Sequence, residues 1–446
     1  MKARFLHCAD IHLGNRQYNH DVRYMDFSRA YRAVVDTALA EQVDFVVLAG
    51  DLFHHRSVDP RTLGHAVGGL RRLRAAGIPV LAIEGNHERA YHSDRVGWMH
   101  FLAEQDLLIL LDAEIEGGSD AGPAPLRPWD AERHRGAYYE PVPGLRVYGL
   151  RYYGAGTSLA VERCAAALAA QDHTGVEYTI FMAHAGVEGV LDDKAGGLSP
   201  RQWAPLQPYV NYLALGHFHK PFALDEWIYN PGSTEACASN EAQWEPRGYL
   251  VVTVDTDRVD TETGDTGAPK HSTRQGSNPK RAFRHLSFKT DQVTDPDDLT
   301  ARLTDYLHRK AADLRAELGD YTGDARRQPV VELYLTGALP FDRSALDIRA
   351  IEALLNETTQ PLVGMVKDFT QAAAYAVETD AALTRPELER QVLSGLLSRD
   401  VRYAARSDEW AGLAVELKQL ALRNTPAGEI AEQLATLVGQ IDAQRP

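Results

Sequence analysis

Five short apolar runs in the first half of the chain each end on a residue that can bind metal or move a proton. Phe5–Ala9 runs into Asp10-Ile11-His12, Phe45–Ala49 into Gly50-Asp51, and Val80–Glu84 into Gly85-Asn86-His87-Glu88. Tyr178–Ala183 runs into His184, and Tyr212–Leu215 into Gly216-His217-Phe218-His219. Their length and their Val, Ile, Leu, Phe and Tyr content suit buried strands. Leu107–Leu111, Leu145–Leu150 and Tyr249–Val254 have the same character. Between the first two runs, Tyr24, Phe27, Tyr31, Val34 and Ala38 recur at three- and four-residue spacing, which predicts a helix with one apolar face. The alternation predicts an α/β domain with a layered sheet core, and in such sheets sites form at the carboxyl ends of strands.

The chain has 446 residues, 44% hydrophobic and 24% charged, the composition of an ordinary globular protein of two or three domains. Collagen-like, coiled-coil and wholly disordered folds are excluded. No apolar run approaches the ~18 residues of a membrane span, and the first residues lack the apolar core of a signal peptide. Cys8, Cys164 and Cys237 are an odd set without zinc spacing, which predicts reduced thiols and a cytoplasmic protein. With 47 basic and 62 acidic side chains the net charge is −15. Such a field repels polyanions, so action on nucleic acid would require local basic patches, metal ions or a partner.

Two stretches read as surface loops: Gly117–Pro143, rich in Gly, Pro and charge, and Asp255–Arg284, a flexible connector or long hairpin loop. The expected first domain covers residues 1–285. A small α+β domain over 286–380 follows, with strands at His285–Phe288, Val330–Thr336 and Leu362–Val366 and helices at Asp297–Leu318 and Arg343–Leu355. Residues 381–446 read as a helical tail. Thr384 and Glu387 have capping-box spacing, and Leu388, Val392 and Leu396 form a stripe. Two more stripes are Trp410, Leu413, Leu417, Leu420 and Ile430, Leu434, Leu437, Ile441, which either pack on the chain itself or dock on a partner.

The polar residues at the strand ends comprise two carboxylates, one amide oxygen and several imidazoles. That mixed set suits Mn²⁺, Fe²⁺ or Zn²⁺ better than a thiolate site would. Seven donors are too many for one ion and enough for two, with a carboxylate between them as bridge. Two ions ~3.5–4 Å apart clamp a phosphate and acidify a water, which predicts phosphoester hydrolysis by in-line attack. Singly, Asp10 or Asp51 could cap a turn and His12 could be an ordinary loop histidine; the fivefold recurrence at strand ends is what points to a metal site. His7, inside a strand, is expected in the core, and His20, His65, His92, His100 and His173 in solvent. Arg56, Arg89 and Arg95 follow the motifs closely and would lie near the mouth of the site, where they could touch phosphates. Arg71, Arg72 and Arg74 make a basic helix edge.

The motifs DIHLG (Asp10–Gly14), GDLFH (Gly50–His54), GNHE (Gly85–Glu88), AHAG (Ala183–Gly186), GHFH (Gly216–His219) and PGSTE (Pro231–Glu235) resemble the calcineurin-like metallophosphoesterase superfamily. Within it they are similar to the SbcD branch of DNA repair nucleases. The resemblance implies a four-layer sandwich, with helices flanking two packed sheets, plus a small α+β capping domain that orients DNA and a helical C-terminal tail. It implies that Asp10, His12, Asp51 and His219 hold one metal and that Asp51, Asn86, His184 and His217 hold the other. His87 would stabilise the transition state or protonate the leaving oxygen, and His54 would help place DNA, with His55 its rival for the inward position. It further implies two Mn²⁺ ions, exonuclease action on duplex ends, endonuclease action on single strands, a homodimer and an SbcC-like coiled-coil ATPase partner. Glu88 stands where many relatives have Asp. The alternative on the same motifs is a phosphodiesterase or phosphatase acting on a small nucleotide or a phosphoprotein.

Overall fold

The computed structural model describes all residues except 90–95, 116–123, 125, 192–196, 258–269, 373–383, 399–401, 423–425 and 444–446, and not the side chains of 372 and 437–443. The chain divides into two compact units, one of residues 1–283 with 325–327 and one of residues 284–324 with 328–446.

In the first unit the strands are β1 Lys2–Cys8, β2 Phe45–Leu48, β3 Val80–Ala82, β4 Ile109–Leu110, β5 Tyr138–Val142, β6 Leu145–Leu150 and β7 Tyr178–Ala183. They continue with β8 Gly186–Val187, β9 Gly197–Leu198, β10 Tyr212–Leu215, β11 Phe222–Leu224, β12 Ile228–Asn230, β13 Gly248–Asp255 and β14 His271–Ser277. Its helices are α1 Asp21–Ala40, α2 Pro60–Ala75, α3 Trp98–Glu104, α4 Thr157–Ala170 and α5 Pro200–Trp203. One sheet has the order β14-β13-β1-β2-β3-β4 and the other β11-β12-β10-β7-β6-β5, with β8 and β9 a separate ribbon.

Strand parity explains the continuous apolar runs. In β2, Phe45 and Val47 enter a core shared with Ile180, Met182, Tyr212 and Ala214 of the second sheet. Val46 and Leu48 turn the other way, onto Tyr31, Val34, Ala38, Leu70 and Leu73 of the helices. The outer face of the second sheet is covered by Val161, Cys164, Leu168 and Trp203. Strands buried on both faces cannot alternate apolar with polar. The result is the expected four layers: helix, sheet, sheet, helix. His7 is fully buried between the sheets, with Nδ1 3.0 Å from the Tyr212 hydroxyl and Nε2 3.1 Å from the Leu215 carbonyl. Burial lowers its pKa to about 3, so it is a neutral core residue.

Both stretches read as loops contain strands. β5 lies within Gly117–Pro143 and pairs antiparallel with β6. β14 lies within Asp255–Arg284 and pairs antiparallel with β13 as a sheet edge. An edge strand exposes most of one face, so β14 carries polar side chains and escapes a search for apolar runs. Its one large inward group is His271, whose Nδ1 lies 2.7 Å from the Tyr178 hydroxyl and whose Nε2 lies 2.9 Å from that of Tyr229.

The second unit contains β15 Phe283–Lys289, whose first residue belongs to the first unit, with β16 Val330–Leu339, β17 Val363–Ala372, α6 Pro296–Leu318 and α7 Ile348–Thr359. The strands form one sheet in sequence order. Val331, Leu333 and Leu335 pack on Leu303, Leu307 and Leu355 of the helices. The predicted helix over Arg343–Leu355 begins later: Arg343–Ala345 is a single 3-10 turn, and Asp347 caps α7 by accepting from Ala350 N–H at 3.0 Å. The tail comprises α8 Arg385–Leu397, α9 Ser407–Leu422 and α10 Ala427–Ala443. Thr384 and Glu387 form the expected capping box. α8 and α9 meet through Ser394–Ser407 and through Lys418–Glu389 at 2.6 Å. No described helix is long and apolar enough to cross a membrane.

Phe45 is fully buried and stacks on Phe5 with ring centroids 5.1 Å apart. Phe45→Ala should therefore cost about 3–5 kcal/mol. A denaturant titration of the full chain should show the midpoint of the first unit falling, with an unchanged slope.

Candidate metal centre

β1, β2 and β3 run parallel, as do β7 and β10, so each sheet aligns the carboxyl ends of its strands. Two of the loops that leave those ends are stitched by backbone hydrogen bonds. Asp10 N–H donates to the Gly50 carbonyl at 3.1 Å, and Ile11 and His12 N–H donate to that of Asp51 at 2.9 and 3.0 Å. The side chain of Asp10 accepts from His217 N–H at 3.0 Å, and that of Asp51 from His87 N–H at 3.0 Å. Asp10, His12, Asp51 and His217 all have positive φ, between 51° and 77°. Such backbone is rare outside glycine and clusters at functional sites. Gly85 passes so close that a Cβ there would strike the Asp51 carboxylate.

All seven sequence-predicted donors converge. His12 Nε2 lies 3.1 Å from His219 Nε2, 3.9 Å from Asp10 Oδ1 and 3.8 Å from Asp51 Oδ2. His219 Nε2 is 3.8 Å from Asp10 Oδ1. On the other side of Asp51, His184 Nε2 is 3.2 Å from Oδ2. Asn86 Oδ1 is 3.1 Å from His184 Nε2 and 3.0 Å from His217 Nδ1. Donors ~2.1 Å from a shared ion are separated by roughly 3–4 Å, so each group fits a divalent cation with Asp51 common to both.

A second layer aims these donors. His184 Nδ1 donates to the Ala49 carbonyl at 2.8 Å and His219 Nδ1 to Glu241 Oε1 at 2.7 Å, which turns both Nε2 atoms inward. Glu88 accepts from Asp51, Phe53 and Gly85 N–H at 3.0–3.1 Å, tying the GDLFH and GNHE loops together. The Pro231–Glu235 loop buttresses the Asp10 loop through an Ala9–Ser233 bridge. Buried Arg23 holds that loop by donating to Glu235 and to the Ala236 carbonyl.

Electrostatics follow from burial. Desolvation pushes the His184 pKa down, but the Asp51 charge and hydrogen bond override it and raise it to about 9. Burial opposes ionisation of Asp51, yet the His184 charge and hydrogen bond hold its carboxyl well below the usual range. Burial raises Glu88 to about 8, with the Asp51 charge adding to the rise. Burial drives His12 well below its ordinary value.

His87 Nδ1 donates to the His54 carbonyl at 2.6 Å. His54, not His55, turns inward: its Nδ1 is 3.3 Å from His12 Nδ1 and its ring stacks on His87, whereas His55 is exposed. Burial, then the neighbouring imidazoles, lower the His54 pKa to about 4. A cleft of about 520 Å³ lined by His54, His55, Arg56, Ser57, Asn86 and His87 opens here. Arg56 and Arg89 are exposed, Arg56 on the wall of this cleft, and Arg95 and His92 lie outside the described residues. His20 departs from the solvated expectation by capping α1, its Nδ1 accepting from Val22 N–H at 3.1 Å.

Sequence reasoning missed Glu241 and Cys237. Both come from the irregular segment after β12, where no periodicity marks them. Glu241 faces His219 with one carboxylate oxygen and accepts from Cys237 N–H at 2.8 Å with the other.

Two outcomes follow. The Asp51–His184 pair stabilises the metal-free fold fully below the unfolded histidine pKa of 6.5 and is lost as pH rises through about 9. The melting temperature of metal-free protein should therefore fall across that window, and His184→Gln should flatten the fall. Glu241→Ala should loosen divalent-cation binding by about ten- to a hundredfold in calorimetric titration, because His219 loses its orienting carboxylate.

Residues 3–221 match the family model for calcineurin-like phosphoesterases. The chain is 31% identical over 245 residues to the DNA double-strand break repair protein Mre11 of Archaeoglobus fulgidus, covering 54% of this chain and 52% of the relative. It is 28% identical over 362 residues to the protein of that name from Halobacterium salinarum, covering 77% and 76%. For that of Haloferax volcanii the figures are 31% over 264 residues, covering 58% and 51%. The chain thus spans about half the length of two of these curated relatives and three quarters of the third.

Proposed function

We propose that this chain, whose residues 3–221 match the calcineurin-like phosphoesterase family model, is a Mn²⁺-dependent DNA nuclease that hydrolyses phosphodiester bonds at double-strand breaks. The observation that carries the reading is the convergence of the donor atoms of Asp10, His12, Asp51, Asn86, His184, His217 and His219 on two adjacent positions that share Asp51. The DNA substrate is supported by the similarity to double-strand break repair proteins. Two divalent cations held there would supply Lewis-acid chemistry for the phosphate and lower the pKa of a water.

The protein's own groups supply the rest. His12, His219 and Asp10 would hold one ion, Asn86, His184 and His217 the other, and Asp51 would serve both. The His87 ring is fixed through Nδ1, which leaves Nε2 to neutralise charge on the phosphate or protonate the leaving oxygen. His54, stacked on His87 at the cleft, places the DNA backbone. Oxygen- and nitrogen-rich donors favour manganese over softer ions. In the same reading the second unit helps to orient DNA, and the tail docks an SbcC-like coiled-coil ATPase. Exposed Leu396 on α8 and Leu422 on α9 support that docking, since apolar side chains of that size gain by burial.

The test is cleavage of end-labelled duplex with Mn²⁺. Wild type should release nucleotides, and His87→Gln should lose about 10²–10⁴-fold in rate while retaining its metal by elemental analysis. Intact DNA alongside hydrolysis of bis-p-nitrophenyl phosphate would instead identify a small-substrate phosphodiesterase.

A further inference from the structure

The three cysteines occupy different environments. Cys8 and Cys164 are buried in the apolar clusters between sheet and helices. Cys237 is half-buried and sits at the metal centre, hydrogen-bonded to the His219 ring. Its Sγ and one ring nitrogen each of His12 and His219 all lie within 4.8 Å of one another.

Its position is held from two sides. Cys237 N–H donates to Glu241 Oε2 at 2.8 Å, and Gln17 Nε2 donates to the Cys237 carbonyl at 3.0 Å. The other Glu241 oxygen orients His219. One carboxylate therefore aims both an imidazole and the backbone of a thiol residue toward one point. Buried Arg247 reinforces it, with Nη1 3.6 Å from Glu241 Oε2. Two imidazole nitrogens and one sulfur around a tetrahedral ion are separated by roughly 3.3–3.8 Å, which this group reaches with small side-chain rotations.

We propose that Cys237 joins His12 and His219 as a third donor that captures a thiophilic divalent cation of the Zn²⁺ class at the first metal position, in competition with the harder ion favoured by the oxygen-bearing partners. The proposal rests on the two-metal reading above. A sulfur donor tilts a site toward zinc, cobalt and cadmium and away from manganese, because soft ligands select soft ions. On binding, a metal–sulfur bond forms and the thiol proton leaves to solvent, with no change of oxidation state. Asp10 and Asp51 stay within reach, so the captured ion would occupy the place of one member of the catalytic pair. The chain would then be held inactive where zinc outcompetes manganese.

Cobalt titration of the full chain tests this without reference to cleavage. Wild type should develop thiolate-to-cobalt charge-transfer absorption in the near ultraviolet together with visible d–d bands. Cys237→Ser and Cys237→Ala should keep the d–d bands and lose the charge-transfer absorption. In competition against a chromogenic chelator, both variants should bind Zn²⁺ at least about tenfold more weakly, while Mn²⁺ affinity by electron paramagnetic resonance moves far less. Visible bands without charge transfer in wild type, or equal zinc affinity in all three proteins, would overturn the role of Cys237 and leave the two-metal reading standing. No cobalt spectrum at all would remove both.

Discussion

The face-to-face packing of two sheets sets everything else in the first unit. Phe5, Phe45, Val47, Ile180, Met182, Tyr212 and Val252 fill the shared core, and each of them fixes the height of its strand against the opposite sheet. The strands that carry donors are parallel within each sheet, so their carboxyl ends emerge on one edge. Donors from positions as far apart as 10 and 219 thereby meet. A slip of one residue in β1 would reverse its parity, exchanging Phe5 with Leu6 and turning Asp10 away from the centre.

That scaffold also sustains strain. Four of the seven donors adopt left-handed backbone, at a cost of about 1–3 kcal/mol each where it is unfavourable. The hydrogen bonds from Asp10, Ile11 and His12 to the Gly50 and Asp51 carbonyls offset part of it and lock the loops together. Glu88 does the same from the far side with three backbone donors. Its carboxyl group reaches the N–H groups of Gly85, Asp51 and Phe53 together, which clamps the two loops.

The convergence of these side chains was legible in the sequence because each follows an apolar run, and an apolar run buried on both faces is the plainest signal a chain carries. His184 and His217 stand at such ends, and so does Asp51. The second layer was not legible. Glu241 lies in a 3-10 turn and reaches His219 across 22 residues, and Cys237 lies in coil, so neither has a periodicity to betray it. The choice between His54 and His55 was equally closed to inspection, since adjacent residues differ only in which way the loop turns them. β14 was overlooked for the opposite reason: its inward contribution is His271, a polar ring satisfied by two tyrosine hydroxyls, where a search for strands expects an aliphatic side chain.

The net charge of −15 bears on how such a site meets a phosphodiester. Asp10 and Asp51 are both buried at the centre, with Glu241 directly behind His219. Burial keeps His12 and His54 neutral near pH 7, so they do not compensate, while His184 is drawn into an ion pair with Asp51. His219, raised well above its ordinary value despite burial by its contacts with Cys237 and Glu241, and buried Arg247 beside Glu241 offset the rest, so without cations the cluster offers a phosphate little net positive charge. Two divalent ions held as proposed would bring four positive charges into the same small, poorly solvated volume, where bound cations dominate the local field. The sign of the field that a phosphate meets there would then be set by the ions and not by the fold. Attraction for a phosphate and activation of water would depend on the same event, and the exchange of one ion for another at the first position would alter both together.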